Sequence, residues 1–256
     1  MSLIIHMKIP GAIIAASDCR ITGTENLYIP VKEEKTNSKG GKEYNLGKLE
    51  DINPQKIVPD GTLKVQFGHY DYVKTDSEQK TFLLVTNEKK PFVISYCGNA
   101  NLQGYPASYK IKNALKSMNG VSTTNEISEE FKHYWEINGI DIKPSLLISG
   151  YNKGRPSVLE LKRNGDIIEH FQNEMSHGVV YHGEQDVASA LVELGNYNYS
   201  LFRLQDAIDF CSTLITTTAK IQSLQNRQQT VSEIHDILVI TEDKAKWIKR
   251  STLELD

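Results

Sequence analysis

The order of apolar patterns along the chain predicts an α+β protein, built as a four-layer α-β-β-α sandwich. Two mostly antiparallel sheets would pack together, with helices on both outer sides. Three observations carry this expectation. Two groups of short strand-like runs alternate with two pairs of helix-like patterns. Several neighbouring strand-like runs are separated only by tight-turn sequences, which suits antiparallel pairing. No linker rich in Pro, Gly and Ser divides the 256 residues, so one domain over 1–256 is expected.

Ser2–Lys8 reads as a strand, Pro10-Gly11 as a turn, and Ala12–Ser17 as an apolar strand covered on both faces. Together they predict a hairpin. The polar stretch Thr22–Gly61 contains KEEKTNSKGGKEYN. It lacks enough apolar residues to anchor itself and is expected to be an insertion with short strands, mobile in part. Leu63–Val73 alternates as a strand pair would. Thr81–Thr86 and Phe92–Cys97 are two strands around Asn87-Glu88-Lys89-Lys90. A helix is expected within Asn101–Met118, after Pro106, and a second over Ser128–Asn138 with Ser128 as its cap. Strands return at Ser145–Ser149, at Ser157–Lys162 and, after the turn Arg163-Asn164-Gly165-Asp166, at Ile167–Phe171. Glu184–Leu194 and Leu204–Leu224 have helical spacing, and Ile234–Ile240 is an apolar strand.

Composition excludes several classes. Hydrophobic residues are 39% and charged residues 24%, with a formal net charge of -3 and no basic block. A nucleic-acid partner is not expected. No run approaches the roughly 20 apolar residues of a membrane helix, and the N-terminal apolar run lacks the pattern of a secretory peptide. Three widely spaced cysteines point to neither a disulfide framework nor a zinc motif. A reducing cytoplasm is the natural setting. The seven histidines show no ligand spacing, so neither a metal nor another cofactor is expected.

Four stretches resemble the proteasome β-subunit family of N-terminal nucleophile hydrolases and its bacterial peptidase relatives. The opening S-L-I-I-H-M-K-I-P-G-A-I-I-A-A-S-D looks like the family's start: nucleophile, strand, glycine turn, apolar strand, Asp. Tyr96-Cys97-Gly98-Asn99-Ala100 resembles the small-residue turn before the first long helix. Ser145-Leu-Leu-Ile-Ser-Gly-Tyr-Asn is similar to the central strand, and Thr230-Val-Ser-Glu-Ile-His-Asp-Ile-Leu-Val-Ile to the last core strand.

The resemblance implies an active site at the chain terminus. Ser2 stands where the bacterial relatives have a nucleophilic Thr. Removal of Met1 would make its α-amine the base for its own hydroxyl, which is a weak nucleophile until its proton is taken. Asp18 matches the family's Asp on the second strand, and Arg20 the Arg two positions on. Lys80 matches the catalytic Lys, with Lys74 as the second choice. Gly98 matches the turn whose amide stabilises the oxyanion. Each also has an ordinary reading: a strand-end acid, a surface cation, a solvated lysine, a turn glycine. Cys97 reads as a small core residue.

The chain departs from the family pattern in two places. Leu224-Gln-Asn-Arg-Gln-Gln-Thr-Val-Ser232 offers Thr230 or Ser232 for a supporting hydroxyl but contains no Asp. Of an expected Gly-Ser-Gly turn near Tyr181-His182-Gly183, only Gly183 remains. Three functions therefore stay open: a peptidase subunit acting on peptide or unfolded protein, a catalytically silent assembly protein of the same fold, and an amidase for small amides. Self-association is expected, with an ATP-dependent unfoldase as a possible partner.

Overall fold

The computed structural model describes residues 2–36, 42–46, 64–76, 78–103, 105–118, 120–141, 143–225 and 229–250. The chain divides into two compact units, 1–21 with 73–256, and Thr22–Tyr72.

In the larger unit, β1 (Leu3–Ile9) and β2 (Ala12–Asp18) form the expected hairpin, paired Ile4 to Ser17 through Ile9 to Ala12. They lie in a five-stranded antiparallel sheet, order β13-β1-β2-β14-β15. Its other members are β13 (Gly178–Gly183), β14 (His235–Ile240) and β15 (Ala245–Lys249). The second sheet has the order β12-β11-β10-β7-β6. It comprises β6 (Thr81–Val85), β7 (Pro91–Cys97), β10 (Ser145–Asn152), β11 (Arg155–Leu161) and β12 (Ile167–His170), all antiparallel.

Strand alternation explains why every residue of β1 is buried. Leu3, Ile5, Met7 and Ile9 pack with α3 (Gln185–Gly195) and α4 (Leu204–Leu224). Ile4 faces the other way and joins Ile13, Ala15, Val93, Leu147 and Val158 in a core between the two sheets. The second sheet's remaining face, with Phe92, Ile94, Leu146 and Ile148, packs against Ile111, Phe131 and Trp135. These come from α1 (Ala107–Lys116) and α2 (Thr124–Ile137). Each fully buried Leu, Ile or Phe contributes about 1.5–3 kcal/mol relative to exposure, so the helix faces are held by packing. On α4 the buried residues Ala207, Ile208, Cys211, Leu214, Ile215, Thr218, Ala219 and Gln222 recur at helical spacing.

The smaller unit carries a three-stranded sheet, order β4-β3-β5, from β3 (Ile21–Thr36), β4 (Lys42–Leu46) and β5 (Lys64–Thr75). Of the short strands expected within Thr22–Gly61, β4 is one of five residues, while β3 runs to 16, and in place of the expected strand pair at Leu63–Val73 there is the single strand β5. The expectation of mobility within 22–61 falls largely on 37–41 and 47–61, outside the described residues.

Three further differences have local causes. Helix α2 starts at Thr124 because Thr123 caps it, accepting from Glu126 N. Ser128 lies inside that helix and donates to Thr124 O at 2.9 Å. The segment before α1 forms a small hairpin, β8 (Asn101–Leu102) with β9 (Tyr105–Pro106). Strands β13 and β15 have no counterpart in the sequence reading.

Candidate active site at the start of β1

Ser2 is 5% exposed and lies where β1 begins. Its carbonyl accepts from Glu184 N at 2.8 Å. Gly183, opposite Leu3 on β13, is required by this close approach. A Cβ there would stand 1.6 Å from the Ser2 carbonyl oxygen, and its φ is +104°.

Asp18, at the end of β2, is wholly buried. Its Oδ1 accepts from Leu3 N at 2.7 Å and from Lys80 Nζ at 3.0 Å. Its Oδ2 accepts from Arg20 N at 2.9 Å and Ser232 N at 3.3 Å. One carboxylate thus gathers the start of β1, the residue before β6, the exit of β2 and the approach to β14. Lys80 is 1% exposed and also donates to the Arg20 carbonyl. Burying two charges is costly unless they are paired and further hydrogen-bonded, and here both conditions hold.

The structure thus brings Asp18 and Lys80 together beside Ser2. The side chain of Lys74 lies outside the described residues. Gly98 follows β7 in a left-handed conformation, φ +116°, against the Arg163 guanidinium. Among the described residues it makes no hydrogen bond to Ser2, Asp18 or Lys80. Arg20 is more than a surface cation: Nε and Nη2 bind Asp76 at 2.5 and 2.7 Å, and Nη1 donates to Gln229 O at 3.3 Å. The Arg20 hydrogen bond holds the Asp76 carboxyl below its usual range. Cys97 is buried, and desolvation pushes its thiol up to about 11, as a core residue requires.

Thr230 and Ser232 are both buried. Gln222, at the end of α4, accepts from Thr230 N and Val231 N, each at 2.9 Å, and donates to Glu184 Oε2 at 2.9 Å. Ser232 Oγ accepts from Ile234 N at 3.0 Å. A helix glutamine therefore fixes the segment in which the family pattern expects an Asp. Sequence reading missed it, because its neighbours meet only in the fold.

Two further polar groups lie between the strands. Thr81 Oγ1 donates to Ser17 Oγ at 2.9 Å and meets Ser95 Oγ at 2.8 Å. His6 bridges Ser95 at 2.9 Å and Ser149 at 2.6 Å. Burial, with a smaller contribution from His182, lowers the His6 pKa to about 3, so its imidazole is neutral. The second group is Glu160, His170 and His182, whose ligating atoms all lie within 4.8 Å of one another. Each imidazole carries its own Nε2 to Glu160 Oε2, His170 at 3.2 Å and His182 at 3.3 Å. The three residues come from three strands, so no spacing in the sequence could announce the cluster.

No family model and no curated protein matches this chain. Solved structures do. An Anbu (Gly-1) mutant from Hyphomicrobium sp. strain MC1 superposes with TM-score 0.57 at 12% identity, covering 97% of this chain and 88% of that one. Anbu from the same strain gives 0.56 at 14% identity, covering 96% and 87%. Anbu, described as an ancestral beta-subunit, from Yersinia bercovieri gives 0.56 at 12% identity, again covering 96% and 87%. At such identities the likeness speaks for the fold alone. The chain has an α+β architecture of antiparallel sheets and shares the proteasome-like fold of these structures.

Proposed function

We propose that the protein is a proteasome-like peptidase subunit in which Ser2, as first residue of the mature chain, is the nucleophile. The observation that carries this reading is the Asp18 carboxylate. One of its oxygens holds both the Leu3 amide, next to Ser2, and the buried Lys80 ammonium. A cation fixed at the strand start lowers the pKa of a nearby α-amine by like-charge repulsion, from a reference of about 7.7–8.0. The neutral amine takes the Ser2 hydroxyl proton as the oxygen attacks the peptide carbonyl. That proton passes to the leaving amine, and water then hydrolyses the ester left on Ser2. Gly98 N–H is assigned to the oxyanion, Lys80 to tuning the amine, and Asp18 to positioning both.

On this reading residues 1–256 are one domain with an insertion at about 22–61, and the larger unit is a four-layer α-β-β-α sandwich. Support for the layers comes from the three cores: helices against the first sheet, sheet against sheet, and the second sheet against helices. The subunit works in the cytoplasm on peptide or unfolded protein and associates with copies of itself, since closed assemblies cover the faces that this fold leaves open. Sedimentation as a lone 28.9 kDa species at micromolar concentration contradicts the association.

A second reading, a silent assembly protein, is favoured by one observation: no carboxylate stands in 224–232, where Ser232 N–H meets Asp18 instead. Intact-protein mass spectrometry separates the two, because a retained Met1 leaves Ser2 without a free amine. A panel of fluorogenic peptides and small amides then separates peptidase from amidase. In an active enzyme, Lys80→Met lowers the rate by about 10²–10⁴, the usual reach of acid–base assistance.

A further inference from the structure

Glu160, His170 and His182 come from three strands that do not all share a sheet. Glu160 is on β11 and His170 on β12, both in the second sheet, while His182 is on β13, the edge of the first. Register places them on facing surfaces. Glu160 pairs with Ile168, so His170, two residues further along β12, points to the same side as Ile168. His182 lies opposite Ile4, whose side chain enters the core between the sheets. The two imidazoles therefore reach one carboxylate where the edges of the two sheets meet.

The spacing suits a metal ion. Ligand bonds of about 2.0–2.2 Å in a tetrahedral site put neighbouring donor atoms about 3.3–3.5 Å apart. Here the two nitrogens lie 3.2 and 3.3 Å from Glu160 Oε2. Glu160 is 6% exposed, and a carboxylate so buried needs compensation. His182 Nε2 is buried and has no aligned hydrogen-bond partner among the described residues, despite its approach to Glu160. Lys162 is the nearby group that opposes a cation, acting on His182 through its charge. The His170 and His182 side chains are 26% and 20% exposed, which gives an ion a route in and a water a place on it.

We propose that Glu160, His170 and His182 bind one divalent cation of the zinc class and clasp β13 to β11 and β12. Two imidazoles and one carboxylate select a borderline ion such as Zn²⁺ or Co²⁺ over Mg²⁺ or Ca²⁺, which prefer all-oxygen sites. Three protein donors leave a fourth position for water. The clasp lies next to Gly183, the residue in contact with the Ser2 carbonyl, so the ion would steady the strand against which β1 begins.

The test uses the full-length chain, stripped with a chelator and titrated with Zn²⁺ by calorimetry and with Co²⁺ by visible absorption. The expected result is one ion per chain, a low-coordinate Co²⁺ spectrum and a rise in the thermal midpoint with Zn²⁺. Glu160→Gln, His170→Ala and His182→Ala should each weaken binding by more than the roughly 10–100-fold that loss of a supporting contact costs. His133→Ala, on the exposed side of α2, should leave it unchanged. If His182→Ala fails to fold, His170→Ala on the edge strand still reads the site. Folded wild-type protein that takes up no Zn²⁺, or binds it no more tightly than folded His170→Ala does, overturns the proposal.

Discussion

Two pairs of adjacent residues put opposite chemistry side by side. Asp18 meets Lys80 in a buried ion pair, while their chain neighbours Ser17 and Thr81 meet through hydroxyls. Both contacts join the end of β2 to the start of β6, Lys80 being the residue just before that strand, and burial is nearly complete in both. The hydroxyl pair continues into a neutral network through Ser95, His6 and Ser149. Such a network satisfies polar groups between two sheets without carrying charge. The ion pair instead holds a fixed cation at the start of β1, which packing alone does not require. An apolar pair of similar volume would often be as stable. The two contacts thus differ in charge and not in burial: the Asp18 end carries a buried ion pair, the Ser17 end only neutral hydrogen bonds.

Breaking the ion pair should therefore have the largest effect on stability. Asp18→Ala leaves Lys80 buried without its counter-ion and frees three backbone amides, and should cost about 3–5 kcal/mol in urea unfolding. A loss below 1 kcal/mol would mean that water reaches the lysine. Ser149→Ala should cost less, about 1–3 kcal/mol, by leaving one His6 nitrogen unsatisfied. Equal losses in the two variants would erase the contrast.

The neutral network also predicts a pH dependence. Burial holds the His6 pKa at about 3 in the folded chain, against about 6.5 for an ordinary imidazole. The unfolded chain therefore binds a proton between these values that the folded chain refuses. The stability contribution is complete above pH 6.5 and is lost as pH falls toward 3, at up to about 1.4 kcal/mol per pH unit. His6→Gln should flatten the unfolding free energy in that window relative to wild type, and an unchanged slope would count against a buried neutral imidazole. The smallest effect belongs to Lys90→Ala. Its partner Glu88 is solvent-exposed, so the unfolding midpoint should not move measurably, although the contact resembles Asp18–Lys80 in kind.

Much of this was legible in the residues. The hairpin of β1 and β2 follows from an unbroken apolar run around Pro10-Gly11, and α4 has the expected bounds because its apolar stripe is long. Asp18 and Lys80 were named through a family pattern, and the fold brings them into contact. Strand β13 was missed because GVVYHG is short and only partly buried, and β15 because AKWIK is a five-residue edge with little apolar content. Ser128 looked like a cap because acids follow it, but Thr123 lies closer to the first turn that needs capping. Gln222, His182 and Glu160 could not be singled out. Their roles rest on partners between 8 and 38 residues away, brought together by sheet pairing and helix packing.

The central claim is that Ser2 is a nucleophile served by the terminus on which it stands. The direct measurement compares wild type with Ser2→Ala on fluorogenic peptides, after mass spectrometry has shown residue 2 to be first in both. The account predicts hydrolysis by wild type and none by Ser2→Ala, with matching circular dichroism and sedimentation. Equal hydrolysis by the two proteins, or none by a wild type whose Ser2 amine is free, would contradict it.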